Sequence, residues 1–577
     1  MSVNETTIRQ WADHHACRSN LPVLVRRLIR ETTTTLTSLR FPGNEAVDLA
    51  GLDGQAEAKQ ATIWVPQGRS IWEMGCNQDP RAKANEDFLK RTDETPKEEQ
   101  KNSSFVFVTP RRWPAKEAWL EERRQEGSWA DVFAYDAIDI ETWLEEAPVT
   151  ARWLGERLRL ADPGLLTPDE WWRKWSSAST PSISPSLVAT RRHNEAETLL
   201  QKLRDGDQVV PVMGDDRGEA VAFVIAALGL AGAHDLLDRT LVVTSENVVI
   251  PRNGNSHLIL IADLPEGEEP NFGDRHDLTI VRPYPKGRLD INEPLQLSHV
   301  PAEVFSTELE AMGVSRDEAV SLALEAGHSL PVLRRRLSKD PEIRRPIWAR
   351  DRETAKRLLP FALAGSWMER ENLDDVTILQ LIGEHEDGEA ESIRDDLLAL
   401  DDAPIAKYGN VNIIVSQLDA LFTVGQYINQ NDLDRFFPIV LELLGDRDPA
   451  LDLPKDQWYM ANVLGKARST SGALLSGLSD ALCILAVHGA EICGTRLGID
   501  LSYRAGQLVH ALMFNANAER WLTIRNHLRA CRGGTNHFPG LSRRRTAKAG
   551  SCNSSHNGSG GRFSRWGVPA DRSTLGP

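Results

Sequence analysis

Gly51-Leu52-Asp53-Gly54, an extended run to Trp64-Val65, the turn Pro66-Gln67-Gly68, the segment Ser70-Ile71-Trp72-Glu73-Met74-Gly75 and then Lys83-Ala84-Asn85 make up the stretch on which the reading of this chain turns. It sets one carboxylate, Asp53, just after one extended segment and a second, Glu73, inside the next, with Lys83 at the head of the helix that follows. Such a layout suits a divalent metal. Mg²⁺ (or Mn²⁺) is a hard cation that takes carboxylate oxygens and keeps waters for a phosphate to displace, so Asp53 and Glu73 are the candidate metal ligands. Lys83 is the candidate for neutralising charge on the phosphate, and the chemistry implied is phosphodiester hydrolysis. A plainer reading stays open: Asp-Gly is a strong hairpin-turn signal, which makes Asp53-Gly54 a turn and Glu73 a solvated strand residue.

Outward from this stretch, Leu21, Leu24, Val25 and Leu28 recur at helical spacing in Leu21 to Thr32, with Arg26, Arg27 and Arg30 on the other side as a solvated face or as phosphate contacts. Asp93 to Asn102 is charged without apolar interruption and is expected to be an exposed loop. Phe105 to Val108 reads as a buried strand, Val132-Phe-Ala-Tyr135 as another, and Asp136 to Leu144 as a helix with acids in its first turn. Trp113, Trp119 and Trp129 are expected to pack in the core or at its rim rather than stack on bases.

The α-β-β-β-α-β order with Asp53, Glu73 and a nearby lysine resembles the PD-(D/E)xK restriction-endonuclease-like superfamily, in particular the Mrr-like nuclease domains at the N-termini of bacterial anti-phage proteins. The resemblance covers roughly Leu21 to Leu154 and implies an α/β/α nuclease fold, duplex DNA as substrate and Glu31 as a residue that orients the site. One position departs: the superfamily's usual lysine position, two after the acid, holds Gly75. Lys83 on the neighbouring helix is the substitute and Lys59 the fallback.

Ser176 to Ser186 carries two prolines and little to bury, which marks 161–190 as a linker after a first domain at 1–160. Beyond it, the apolar run Gln208 to Met213 ends in Gly214-Asp-Asp-Arg-Gly-Glu219 and opens a helix, the strand, glycine turn and helix order of a phosphate-binding loop. The loop lacks Gly-Lys-Ser/Thr, so ordinary ATPase chemistry is not supported. Leu258-Ile-Leu-Ile-Ala-Asp263 is a hydrophobic strand ending in an acid, and Gly327-His-Ser-Leu-Pro331 is similar to the Gly-x-Pro motif of STAND ATPases. The span 191–348 thus looks like a degenerate STAND module with a central P-loop-like α/β fold. Gly214, Asp263 and Pro331 are its candidate nucleotide-binding residues, with nucleotide itself doubtful.

Region 349–529 reads as all-α, without convincing strands: either a helical-repeat array offering a surface to a protein trigger or an ordinary helical bundle. Val411 to Thr423 is among its expected helices. The end, 530–577, holds eight Lys/Arg against one acid, Asp571, and no apolar periodicity, so disorder is expected there. It is either a basic arm for DNA or the product of a shifted reading frame that truncates the helices, and the second is favoured.

With 577 residues, several domains are required. A formal charge of −16 excludes a generic nucleic-acid coat and confines any DNA contact to a local groove. Six cysteines without Cys-x-x-Cys spacing supply neither a zinc site nor a disulfide framework and fit a reducing cytoplasm. No run approaches the roughly twenty apolar residues of a membrane helix, so a soluble, intracellular, α/β multidomain protein is expected, with no membrane partner. The expected function is that of a metal-dependent DNA endonuclease effector in anti-phage defence, which could also pair with a second copy of itself. The rival is a catalytically inactive scaffold or sensor that binds a protein partner through the helical region.

Overall fold

Along β4 (Ser103–Val108), Phe105 and Phe107 enter one apolar core while Val106 and Val108 enter another. Successive strand residues point to opposite faces, so a strand buried along its whole length must be covered on both sides. The fold is described from a computed structural model, which describes residues 3–42, 51–160, 164–249, 257–265, 275, 277–286, 291–298, 300–370, 373–461, 463–514 and 516–524. Readings of the basic tail 530–577 lie outside these residues. The chain is mixed α/β, with three sheets among the described residues.

The first sheet runs β1 (Leu36–Arg40), β2 (Gly54–Ala58), β3 (Gly68–Met74), β4, β5 (Asp131–Tyr135) in spatial order. β1, β2 and β3 pair antiparallel, whereas β3, β4 and β5 run parallel. One face packs on Leu21, Leu24, Val25 and Leu28 of the helix His15–Thr32 and on Ile140, Trp143 and Leu144 of the helix Ala137–Glu145. The other packs on Ala84 and Phe88 of the helix Pro80–Glu94 and on Trp119 and Leu120 of the helix Lys116–Gln125. Trp113, Trp119 and Trp129 are buried here as packing residues. The expected loop at 93–102 is instead the end of the helix Pro80–Glu94 and a short helix Lys97–Lys101. Buried Gln100 ties the two, donating from Nε2 to the Thr92 and Thr95 carbonyls at 2.6 and 2.5 Å.

The second sheet is ordered β11 (Leu295–Gln296), β7 (Val209–Gly214), β10 (Leu278–Pro285), β9 (Leu258–Ala262), β8 (Thr240–Val243), β6 (Leu165–Leu166). All neighbours are parallel except β6 against β8. The helix Arg217–Leu230 is buried on every side from Ala220 to Leu228, which is why its sequence carries no polar stripe. Part of its cover comes from the segment read as a linker. Trp171, Trp175, Ile183, Leu187 and Val188 sit in the same core, and β6 belongs to the sheet. Serines and prolines hid these five apolar residues at irregular spacing.

The third region corrects the all-α expectation. β12 (Ser366–Met368), β13 (Ile405–Tyr408) and β14 (Val411–Ile414) form a sheet of order β12-β14-β13. Val411 to Thr423 is therefore a strand followed by the helix Gln417–Val424. The missed signal is Gly409-Asn410: Tyr408 pairs with Val411 and Gly409 has φ +60, as a two-residue hairpin requires. Helices and sheet share one core reaching from Trp348 to Ile524, which matches a single packed body rather than a chain of repeats touching only their neighbours. Among the described residues one helix, Gly472–Leu497, is long and apolar enough by composition to cross a bilayer, where none was expected. Its Leu474, Leu478, Leu482 and Leu485 are buried in that third core.

Candidate functional site

The antiparallel register of β2 and β3 decides where Asp53 goes. Gly54 lies opposite Trp72 and Gln55 opposite Ile71, so one step further sets Asp53 opposite Glu73. Directly opposed residues in an antiparallel pair share a face. The two carboxylates therefore approach each other, and the Met74 amide donates to Asp53 Oδ2 at 2.8 Å. Glu73 is 3% exposed, and its carboxyl is pushed up to about 8 by burial and by the Asp53 charge, against the pull of Arg91. Burial likewise raises Asp53, opposed by the Met74 amide and by the charges of Arg91, Lys83 and Arg18.

Lys83 reaches this site across Gly75. A Cβ at Gly75 would stand 2.7 Å from Lys83 Cγ, so the missing side chain at the usual lysine position is what lets the helix-borne lysine lie there. Its Nζ donates to Asp87 Oδ1 at 2.7 Å. Lys59 does not compete. It is exposed beyond the far end of β2, roughly 20 Å from Asp53 at strand rise.

Two further residues enter that the sequence reading gave no role. Arg91 donates from Nε to Glu73 Oε1, from Nη2 to the Gly51 carbonyl and, at 2.5 Å, from Nη1 to Glu94 Oε2. Asp87 is 5% exposed, and its Oδ2 is buried without a hydrogen-bond partner among the described residues. Burial raises its carboxyl, and the Asp53 charge adds to the rise while Lys83 opposes it. The signal was present: Lys83, Asp87 and Arg91 recur every four residues on one face of the helix Pro80–Glu94. Glu31, by contrast, is no site residue. Its oxygens accept from the Val149 and Thr150 amides, both at 2.8 Å, so it caps the first turn of the helix Pro148–Arg157.

Among the described residues no group of three or more His, Cys, Asp and Glu is arranged to hold a metal. Asp53 and Glu73 are a two-carboxylate set, which fits a hard cation that keeps most of its waters. Buried Glu73 and half-buried Asp53 face each other here beside the Arg91 guanidinium, so a divalent cation suits the pair.

In the second unit Gly214 ends β7 and Asp263 follows β9, and Arg217 joins the two, with Nε 3.3 Å from Asp263 Oδ1. The amides that would face a phosphate already face carboxylates. Asp215 N donates to Glu219 Oε2 at 2.6 Å, Glu219 N to Asp216 Oδ1 at 2.6 Å and Arg217 N to Asp401 Oδ1 at 3.1 Å. Glu219 is held in turn by Arg192 at 2.6 Å, and Asp263 Oδ2 accepts from Trp171 Nε1 at 2.8 Å. Pro331 is buried in the first turn of the helix Leu330–Leu337, whose Arg334 lies in the field of Asp216 and Asp263. The three candidate residues thus belong to one neighbourhood, whose anion-binding amides are taken by the protein's own acids.

Comparison of the chain with known protein families finds no match, and comparison with curated proteins finds none.

Proposed function

We propose that the first unit is a metal-dependent endonuclease domain of the PD-(D/E)xK, restriction-endonuclease-like kind, acting on duplex DNA as the effector of a multidomain defence protein. The observation that carries this reading is the opposition of Asp53 and Glu73 on adjacent strands with Lys83 laid over Gly75. Asp53 and Glu73 would hold Mg²⁺ or Mn²⁺, which when bound polarises the scissile phosphate and activates water. Lys83 exchanges its contact with Asp87 for a phosphate oxygen and neutralises charge there. Arg91 aligns Glu73 and favours its charged form until a cation takes over.

The rest of the chain is read as control. The self-capped loop after Gly214 supports a degenerate STAND-like module that holds its shape without nucleotide. In the third region the order helix, strand, two helices, hairpin supports a winged-helix reading. Its second helix of the pair, Glu389–Leu398, carries Glu389, Glu391, Asp395 and Asp396 against Arg394, a charge that repels phosphate and suits a protein trigger.

Incubating the full chain with supercoiled plasmid and Mg²⁺ or Mn²⁺ tests the nuclease reading. Nicked or linear product is expected, and its loss in Asp53→Ala and Glu73→Ala ties it to this site. Intact plasmid under every condition, together with no Asp53-dependent Mg²⁺ binding by calorimetry, overturns the reading in favour of an inactive scaffold. Arg91 already bound to Glu73 is the observation that favours that second reading.

A further inference from the structure

Cys17 on the helix His15–Thr32 and Cys76 just past β3 are 59 residues apart in sequence, yet their Sγ atoms lie 3.2 Å from each other. Cys17 is fully buried, and Cys76 is partly open to solvent. One side chain ties the Cys76 backbone to the turn ahead of the helix that carries Cys17. Arg111 donates from Nε to the Cys76 carbonyl and from Nη2 to the Ala12 carbonyl, both at 3.1 Å, and its Nη1 pairs with Asp13 at 2.7 Å. A disulfide needs the sulfurs to close by about 1 Å more.

The two thiols are not equivalent. The Cys17 hydrogen bond holds the Cys76 thiol below its ordinary value; burial opposes this, and the Arg111 and Arg18 charges assist it. Cys17 is pushed up by its hydrogen bond to Cys76 and by burial. Cys76 is therefore the partner with thiolate character and access, and Cys17 the protected one beside it.

We propose that Cys17 and Cys76 are a peroxide-sensitive thiol pair that closes to a reversible disulfide, fastening the helix His15–Thr32 to the end of β3. The step takes hydrogen peroxide as oxidant. Cys76 thiolate attacks one peroxide oxygen, the O–O bond breaks, and Cys76 sulfenic acid and hydroxide result. Cys17 sulfur then attacks the sulfenic sulfur, the S–O bond breaks, and the hydroxyl leaves as water with the Cys17 proton. Two thiols and one peroxide give one disulfide and two waters, a two-electron oxidation that a dithiol reductant reverses by exchange. This pairing does not depend on the nuclease reading.

The test treats the native full chain with hydrogen peroxide, alkylates the remaining thiols and maps the digest without reduction. The expected result is a peptide linking Cys17 to Cys76, loss of two alkylatable thiols per chain, and recovery of both with dithiothreitol. Cys483→Ser leaves the link unchanged and Cys76→Ser removes it; if Cys76→Ser does not fold, the wild-type map alone decides. Cys76 recovered as sulfinic acid with Cys17 free, either cysteine linked elsewhere, or a Cys17–Cys76 link formed only in urea overturns the proposal.

Discussion

Replacing Arg91 by Met keeps most of the side chain's apolar length and removes its charge from beside Glu73. In the Arg91–Glu73 pair the side chains are 7% and 3% exposed, so the carboxylate left behind has little water to turn to. Breaking a buried pair in this way costs at most about 3–5 kcal/mol, and less as Glu73, already raised to about 8 by burial and the Asp53 charge, takes up a proton. Part of the loss belongs to the Glu94 and Gly51 contacts of the same guanidinium, and Arg91→Met with Glu73→Gln separates the two parts. A bound divalent cation replaces the missing charge, and at a hundred times its dissociation constant it returns about 2.7 kcal/mol. Urea unfolding of the first unit, followed with and without 10 mM Mg²⁺, reads both effects. Arg91→Met is expected to be the less stable protein in chelator and to gain more from Mg²⁺ than wild type does. Equal stability of variant and wild type in chelator, or a deficit that Mg²⁺ leaves untouched, refutes the reasoning that the site is a charge-starved carboxylate pair.

Gly75→Ala drives a Cβ into Lys83 Cγ, so metal-dependent cleavage is expected to fall by about tenfold or more while the melting curve changes little. Glu31 supplies a pH signature: burial pushes its carboxyl up to about 8 in the folded state from an ordinary value of 4.5, so the folded state binds the proton more tightly than the unfolded one. Stability from this group is full below about pH 4.5 and is lost as pH rises through 8, by up to about 5 kcal/mol. Glu31→Gln is expected to flatten that slope in melts between pH 5 and pH 9. Asp238→Ala leaves Arg27 and Arg30 facing each other without the carboxylate that accepts from them at 2.9 and 3.3 Å, and limited proteolysis around 160–190 should quicken severalfold. Asp401→Asn weakens the clamp on Arg217, and hydrogen exchange at the first turn of the helix Arg217–Leu230 should rise, with no change at Asp53 or Glu73.

Phe105 to Val108 reads as a strand and is one, because an unbroken apolar run bounded by Thr-Pro has only that short solution in a covered sheet. The hairpin at Gly409-Asn410 carries its own turn signal, yet its flanking strands of four residues each are too short for alternation to stand out. The segment 164–190 failed for a different reason. Composition averages over residues, and two tryptophans, Ile183, Leu187 and Val188 anchor it, with Ser176 and Ser179 buried among the same segment's serines.

By itself the sequence determined which residues are available: two acids twenty positions apart, a glycine where a lysine is common, a lysine eight residues on, and a glycine loop lacking its lysine. These follow from local chemistry and spacing. Tertiary structure alone decided which of them meet. Strand register turned Asp53 toward Glu73, since a shift of one residue would send one of them to the other face. Helix docking laid Lys83, Asp87 and Arg91 against that pair, and it drew Glu31 away to a helix end. Packing of distant segments brought Asp401 to the glycine loop and Cys17 to Cys76, contacts across 184 and 59 residues that no local pattern encodes.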